Sequence, residues 1–144
     1  MSTKINREKE LAVSAEAFYK AIVDFPSYPK FLPEVVSASI LSGSTASVKR
    51  VAFELEVVKR FQYTLEFQLK PPTLVSWKLV ESNFFQTNSG KWELTPMGSK
   101  KTKVFYELEV GFGFLVPGWI TKRLTEVSLP KMFENYENHA HSIA

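Results

Sequence analysis

The stretch DFPSYPKFLPEV, residues 24–35, decides how the first part of this chain folds. Its three prolines, Pro26, Pro29 and Pro33, cannot all lie within one helix or one central strand, because proline lacks a backbone N–H and fixes φ. Pro26 also disfavours helical geometry at the residue before it, so a helix arriving from the N-terminal side should end near Asp24. The stretch therefore predicts a junction of several short elements.

The elements on each side of this junction follow from local signals. Residues 3–13 alternate weakly between polar and apolar side chains and predict a strand, and Ser14 is a favourable N-cap for the helix that runs to the junction. Asp24 is expected to cap a second, short helix that includes Phe31. Pro33 should end that helix and open the next strand.

The middle of the chain predicts an antiparallel meander. Five segments alternate apolar and polar residues with a period of two, namely FELEV, FQYTLEFQL, VSWKL, KWEL and KVFYELEV. Hairpin neighbours share a face of the sheet, so the turns between these segments predict their register. The predicted pairs are Leu55 with Tyr63, Phe67 with Trp77, and Trp92 with Tyr106. The resulting sheet has one polar face and one rich in aromatic side chains.

The C-terminal part predicts a bent helix that covers the aromatic face. After Val110, the segment GFGFLVPGWI is punctuated by glycine and proline, and a helical pattern then continues to the end of the chain. The apolar positions switch sides at Pro130, which should kink the helix. One side carries Val116, Ile120, Leu124 and Val127; the other carries Leu129, Met132, Phe133, Tyr136 and Ala140.

Composition excludes several classes of function. The 144 residues predict a single domain over residues 1–144, and the absence of cysteine excludes disulfides, cysteine-ligated zinc and thiol catalysis. The net charge of +3 arises from 18 basic and 15 acidic residues that are interspersed, so we expect no nucleic-acid partner. Neither a signal-like apolar segment nor a membrane-spanning run is visible, which predicts a cytoplasmic protein, either free or peripheral to a membrane.

The order of elements resembles the helix-grip fold of the START-like (SRPBCC) superfamily. The residues FYKAIVDFPSYPKFLPEV are similar to the signature of its polyketide cyclase/dehydrase and coenzyme Q-binding branch. In that signature Asp-x-x-x-Tyr-Pro-x-Phe-x-Pro follows the first helix, and Asp24, Tyr28, Pro29, Phe31 and Pro33 match it. GKWELTP and VPGWITKRLTEVSLPKMFENYENHA resemble a strand and the last helix of the same proteins. The resemblance implies an α+β fold with a curved antiparallel sheet of about seven strands wrapped around the C-terminal helix.

That fold also implies an elongated apolar cavity between the sheet and the helix. In this chain the alternation supplies a predicted lining of Phe53, Leu55, Tyr63, Leu65, Phe67, Trp77, Leu79, Trp92, Tyr106 and Leu108, with Leu124 and Val127 from the helix. A plain hydrophobic core is the alternative for each of them. Buried Tyr and Trp need hydrogen-bond partners, which makes them suited to a cavity wall.

The cavity mouth, or a membrane contact, is predicted from two aromatic segments. Their residues are Tyr28, Phe31, Phe112, Phe114, Leu115 and Trp119. Those of the first segment either plug or rim one end of the cavity. Those of the second segment either tuck into the core or form an apolar lip that gates ligand entry or touches a membrane surface.

Groups that could carry catalysis are scarce. The two histidines, His139 and His141, stand two residues apart on a helix, so their rings diverge and a shared metal is not expected; solvated histidines near a helix C-terminus are the prediction. Arg7 or Lys9 shares its phase with the apolar residues of the first strand, and one of them could meet a polar group of a ligand. We predict no catalytic residues, no metal and no cofactor.

The sequence thus favours a non-catalytic protein that binds or carries a hydrophobic small molecule, such as a lipid, a quinone or a polyketide-like aromatic. An aromatase/cyclase-type enzyme is the first alternative, because shaping a poly-β-ketone needs few acid or base groups. An interaction module resembling ribosome-association toxins of the same branch is the second. The interspersed charges give this last interpretation no support of their own.

Overall fold

The computed structural model describes residues 2–56, 60–83, 85–112 and 129–143. The elements in chain order are β1 (Ser2–Leu11), α1 (Ala15–Val23), a 3-10 helix (Phe25–Ser27), α2 (Tyr28–Phe31), β2 (Val35–Ile40), β3 (Val48–Glu56), β4 (Arg60–Lys70), β5 (Leu74–Ser82), β6 (Phe85–Pro96), β7 (Thr102–Phe112) and α3 (Leu129–Ile143). This is the predicted α+β helix-grip order, and it is confirmed.

The strands form one antiparallel sheet in the order β1-β7-β6-β5-β4-β3-β2. Strands β2 to β7 are a meander, and β1 joins it beside β7. The predicted pairings of Phe67 with Trp77 and of Trp92 with Tyr106 are confirmed.

The predicted register of the first hairpin is wrong by two residues. Leu55 lies opposite Phe61, and Tyr63 lies opposite Phe53. The strands continue to Glu56 and Arg60, whose side chains form an ion pair at 3.7 Å, so the connection is one residue earlier than predicted. Because the shift is even, every side chain keeps its predicted face of the sheet.

The proline-rich junction has the predicted sequence of short elements. The Ser14 hydroxyl accepts a hydrogen bond from the Ala17 amide at 3.1 Å, which caps α1. Pro26 lies in the first turn of the 3-10 helix, where its missing N–H costs nothing. The prediction for Asp24 is wrong in its chemistry: Asp24 occupies the N-cap position, but its side chain makes no capping hydrogen bond.

The helices pack on the inner, aromatic face of the sheet. Helix α3 buries the face that was predicted for its part of the chain, namely Leu129, Phe133, Tyr136 and Ala140, with Met132 partly buried beside them. It packs against α1, whose Phe18 and Ile22 are fully buried. The predicted kink at Pro130 falls in the first turn of α3, and the residues before that turn, with the opposite apolar set Val116, Ile120, Leu124 and Val127, lie outside the described residues.

The outer face of the sheet is polar. Glu66 of β4 stands between Arg50 of β3 and Lys78 of β5, at 3.2 Å and 3.3 Å, so that cross-strand ion pairs cover this part of the face. Both cations are more than half exposed, which limits the contribution of each pair to stability. In the described part of the chain, no helix is both long and apolar enough to cross a membrane.

Candidate functional site

The inner face of the sheet carries the predicted lining residues. Phe53, Leu65, Phe67, Trp77, Trp92 and Tyr106 are buried, while Tyr63, Leu79 and Leu108 are partly buried and pack against the same cluster. Leu55 is partly buried at the end of β3 and is not part of this cluster. Leu124 and Val127 lie outside the described residues. The face is therefore one continuous apolar surface from β3 to β7.

One end of this surface is filled by aromatic packing against the helices. The ring of Trp92 lies 4.5 Å from Tyr106 and 5.1 Å from Tyr136, measured between ring centroids. Phe133 and Phe18 contact the same indole at 5.4 Å and 5.5 Å. This end is a packed core, because contacts of this density leave no room for a ligand among these rings.

The middle of the inner face, around Trp77 and Tyr63, packs differently from the end around Trp92. The described ring contacts of Trp77, to Phe67 and Tyr106, run along the sheet. Those of Tyr63, to Phe53 and Phe85, do the same. These two side chains thus lie at the part of the inner face where the described helices make no ring contact, and an apolar ligand would find its wall there.

A buried polar pair marks the same region. The Trp77 indole N–H donates to the Asn88 side-chain oxygen at 3.1 Å, and Asn88 is 7 % exposed. The side-chain amide nitrogen of Asn88 has no hydrogen bond with any described residue. The Trp77 indole reaches Asn88 by lying over Gly90. Gly90 is directly opposite Trp77 in the β5–β6 ladder and has no side chain to block the ring. Among the described residues, the Asn88 amide is therefore an N–H donor without a hydrogen-bond partner on an apolar wall.

Four tyrosine hydroxyls add neutral donors to this interior. Burial raises the pKa of Tyr28, Tyr63, Tyr106 and Tyr136 above the ordinary value, and the charges of neighbouring tyrosines add to the effect in Tyr106 and Tyr136. A hydrogen bond from Tyr136 opposes the rise at Tyr28 without cancelling it. All four hydroxyls stay protonated at neutral pH, so they can donate hydrogen bonds but cannot act as phenolate bases.

The junction after α1 closes one end of the inner surface. Phe25 is fully buried, and its ring lies 4.5 Å from Phe67 of β4. The Tyr28 hydroxyl donates to the Ile22 carbonyl, which fixes the ring in the interior. Phe31 is partly buried and contacts Tyr28 edge to face at 5.4 Å. Tyr28 thus lies in the packed interior, and Phe31 is partly buried beside it. Their role as a plug or a rim of a cavity stays a prediction.

Most of the other residues predicted for the cavity mouth lie outside the described residues. Phe112 ends β7, and its side chain is not described. Phe114, Leu115 and Trp119 lie outside the described residues.

Sequence reasoning was wrong about His139. It is not solvated: its side chain is 11 % exposed, its Nε2 lies 2.9 Å from an Asp24 carboxylate oxygen, and its ring stacks on Phe31 at 4.1 Å. The reason is tertiary, since α3 brings His139 against a junction that is 115 positions away in sequence. Asp24 thereby ties the C-terminal helix to the junction after α1. His141 is exposed, as predicted.

The two candidate cations of β1 remain at the surface. Arg7 and Lys9 have the inward phase, opposite Tyr106 and Val104 of β7, but both are exposed because β1 is an edge strand. Among the described residues, no group of three or more His, Asp or Glu side chains is placed to hold a metal ion.

Asn88 and Gly90 are the site residues that sequence reasoning missed. The alternation of Trp92 and Leu94 continues backwards through both of them, in the strand that pairs with Trp77. Neither residue is hydrophobic, so a search for alternating apolar residues does not include Asn88 or Gly90. An extended reading of the period-two phase from Trp92 would have found them.

Comparison with known proteins agrees with this architecture. The sequence profile of a family described as polyketide cyclase/dehydrase and lipid transport matches residues 11–137. The ribosome association toxin RatA of Escherichia coli (strain K12) is 24 % identical over 131 residues, which cover 91 % of this chain and 77 % of the toxin.

Two solved structures share the fold. A START superfamily protein from Mycobacterium smegmatis superimposes with a TM-score of 0.82 at 20 % identity, covering 98 % of this chain and 99 % of that protein. The Zhui aromatase/cyclase from Streptomyces sp. R1128 superimposes with a TM-score of 0.80 at 15 % identity, covering 98 % and 94 %. At these identities the likeness is one of fold.

Proposed function

Because the chain belongs to the polyketide cyclase/dehydrase and lipid transport family, we propose that it binds a hydrophobic small molecule between the inner face of its sheet and its C-terminal helix. A lipid, a quinone or a polyketide-like aromatic fits this chemistry. The observation that carries the proposal is the buried Trp77–Asn88 pair on the aromatic wall, in which the Asn88 amide nitrogen has no hydrogen bond with a described residue.

Apolar burial would supply the affinity. Removing apolar surface from water gains roughly 25 cal/mol per Å², so burying about 300 Å² of a ligand gains on the order of 7 kcal/mol before the costs of association. Rings such as Trp77 and Tyr63 offer flat, stiff surfaces for an extended or aromatic ligand.

Polar groups would supply the orientation. The Asn88 amide nitrogen and the neutral hydroxyls of Tyr63 and Tyr106 are donors, so they suit a ligand whose polar end carries carbonyl or ether oxygens. Neutral donors bind and orient such a group without taking a proton from it, which favours carriage over acid–base chemistry.

Native mass spectrometry of gently purified protein, followed by solvent extraction, tests the proposal directly. We expect an apolar molecule of defined mass to co-purify, and a matching quinone or lipid to raise the melting temperature of stripped protein. The proposal fails if nothing apolar co-purifies and a panel of quinones, phospholipids and aromatic polyketides gives no thermal shift.

A matched pair of amide deletions locates the site. Asn88→Ala removes the inner-face donor, and Gln68→Ala removes an exposed amide from the outer face of β4. One hydrogen bond contributes about 0.5–1.5 kcal/mol, so Asn88→Ala should weaken binding of an oxygen-bearing ligand by roughly 2- to 13-fold. Equal affinities of the two variants would remove Asn88 from the site.

A second candidate function, association with ribosomes, is favoured by the similarity to the ribosome association toxin RatA. Co-sedimentation with separated ribosomal subunits in rising salt tests it. Stoichiometric pelleting that an apolar ligand does not affect would favour this function over ligand carriage, and recovery of the protein only in the supernatant would refute it.

A further inference from the structure

A concavity lies on the opposite side of the sheet from the proposed ligand site. It is a groove of about 430 Å³ across strands β2 to β5. The ladders place Glu54 opposite Ser37 and Gln62, and Thr64 opposite Ala52 and Glu81, so the side chains of all these residues share the outer face. None of the lining residues is a lysine, an arginine or a histidine.

A β-bulge lies at the level of the groove. The pairing of β4 with β5 shifts between Thr64 and Leu65: Leu65 lies opposite Leu79, whereas Thr64 lies opposite Glu81, which leaves Val80 as the extra residue. A bulge of this kind bends its strand and increases the local twist. The outer face, which elsewhere is covered by cross-strand ion pairs, is therefore indented at this level.

Thr64 is the unusual residue at the floor of the groove. It is a polar residue on the solvent face and yet is only 6 % exposed. Its hydroxyl makes no hydrogen bond with a described residue, although it lines the groove. The hydroxyl oxygen is not among the buried unpaired polar atoms of the described residues, so it is open to the groove, where a ligand donor can reach it.

The charge of the groove selects the kind of ligand. Two carboxylates lie on either side of β4: Glu54 is held by Arg60 at 3.4 Å, and Glu81 has no ion pair with a described residue. Because strands lie about 4.8 Å apart, the two backbone positions are separated by roughly 10 Å across the sheet. The groove thus combines a carboxylate that has no ion pair with a described residue, Glu81, with several hydroxyl and amide oxygens.

We propose that this groove binds a small protonated organic amine. The ammonium group has three donors and no acceptor, so it matches an unpaired carboxylate and a free hydroxyl oxygen at the same time. Glu81 is the counter-ion, Thr64 accepts a hydrogen bond at the floor, and the carbon chain lies along the methyl group of Ala52. The site is independent of the proposed hydrophobic ligand site, because it uses the other face of the sheet.

An NMR titration of the full chain with 1,4-diaminobutane tests the proposal, and butane-1,4-diol is the uncharged control of the same length. The diamine should cause saturable amide shifts confined to residues 37–39, 52–54, 62–64 and 81–83, whereas the diol should not. Glu81→Gln should weaken binding about tenfold, as expected for the loss of one charge-assisted hydrogen bond. Glu93→Gln, at an exposed outer-face glutamate outside the groove, should leave the affinity unchanged.

The role of the Thr64 hydroxyl at the floor of the groove is tested separately. Thr64→Val keeps the shape and removes the hydroxyl, and it should weaken the diamine roughly threefold, whereas Thr64→Ser, which keeps the hydroxyl, should restore binding. Where the valine variant does not fold, the serine variant and Glu81→Gln carry the test.

Three outcomes would overturn the proposal: shifts that do not saturate at millimolar diamine, equal binding of the diol, or equal effects of Glu81→Gln and Glu93→Gln. Shifts of the same residues with calcium alone would assign the groove to a metal ion instead.

Discussion

Substitution of Gly90 by alanine should displace Trp77 and thereby damage the inner-face site. A Cβ atom at this position would lie 2.5 Å from the indole Cζ2, and closer still to the backbone carbonyl oxygen of Glu107 on β7. Real Cβ atoms essentially never approach a heavy atom within 3.0 Å, so either the indole or the β6–β7 ladder must move. Gly90 is therefore required by packing against a ring and a strand, not by an unusual φ.

The cost can be worked from two terms. Overpacking of a well-filled interior costs about 1–3 kcal/mol. Displacing the indole breaks its hydrogen bond to Asn88 and leaves a buried oxygen unsatisfied, which costs roughly 1–3 kcal/mol more. Gly90→Ala should thus destabilise the protein by about 2–6 kcal/mol, or lower its melting temperature by roughly 6–20 °C.

Urea denaturation together with near-UV circular dichroism provides the assay, because the second measurement reports the tryptophan environment. Gly43→Ala is the control: its φ of +85° makes alanine strained, but nothing lies within 4 Å of the added Cβ. That variant should lose about 1–2 kcal/mol and keep the wild-type aromatic spectrum.

A second variant separates the ring from the strand. In a Trp77→Leu background the cost of Gly90→Ala should fall by at least about 1 kcal/mol, while the part due to the Glu107 carbonyl remains. A destabilisation below about 1 kcal/mol, or an unchanged aromatic spectrum in Gly90→Ala, would refute the reasoning.

Three further substitutions probe the scaffold around the two sites. Phe25→Ala removes a fully buried ring that packs on Phe67 and should cost about 3–5 kcal/mol in urea denaturation. Thr102→Val removes a buried hydroxyl that donates to the Val13 carbonyl at 2.7 Å and should cost about 1–3 kcal/mol in the same assay. Hydrogen bonds from Lys78 and Arg50 hold the pKa of Glu66 below its ordinary value, so Glu66→Gln should reduce stability at pH 7, and the difference from wild type should vanish as the pH falls through that lowered pKa.

Each of these has its own control. Phe105→Ala, on the outer face beneath Lys91, should cost less than Phe25→Ala. Thr95→Val, at an exposed position, should be nearly neutral, and a matching loss there would argue against the buried hydrogen bond. The Glu66 interpretation predicts a loss that shrinks in high salt; a loss independent of pH and salt would contradict it.

Local chemistry determined most of the fold. The alternation of residues such as Phe67 and Trp77 sets which face of each strand is buried, because side chains on a strand point to opposite sides in turn. The prolines of the junction end α1 and start the 3-10 helix through φ and the missing N–H, which are properties of single residues. An error of two residues in the first hairpin did not disturb this pattern, since an even shift preserves the face.

The contacts that complete the candidate site depended on tertiary structure. Asp24 looks like a helix cap and His139 like a solvated residue until α3 brings them within 2.9 Å of each other. Asn88 is an ordinary polar residue in sequence, and it becomes a buried donor only because the β5–β6 ladder places Trp77 over Gly90. The sequence by itself determined the buried face of each strand and the short elements of the junction, which arise from neighbouring residues. Only the tertiary structure decided the polar partners, because those pairings join residues that are distant along the chain.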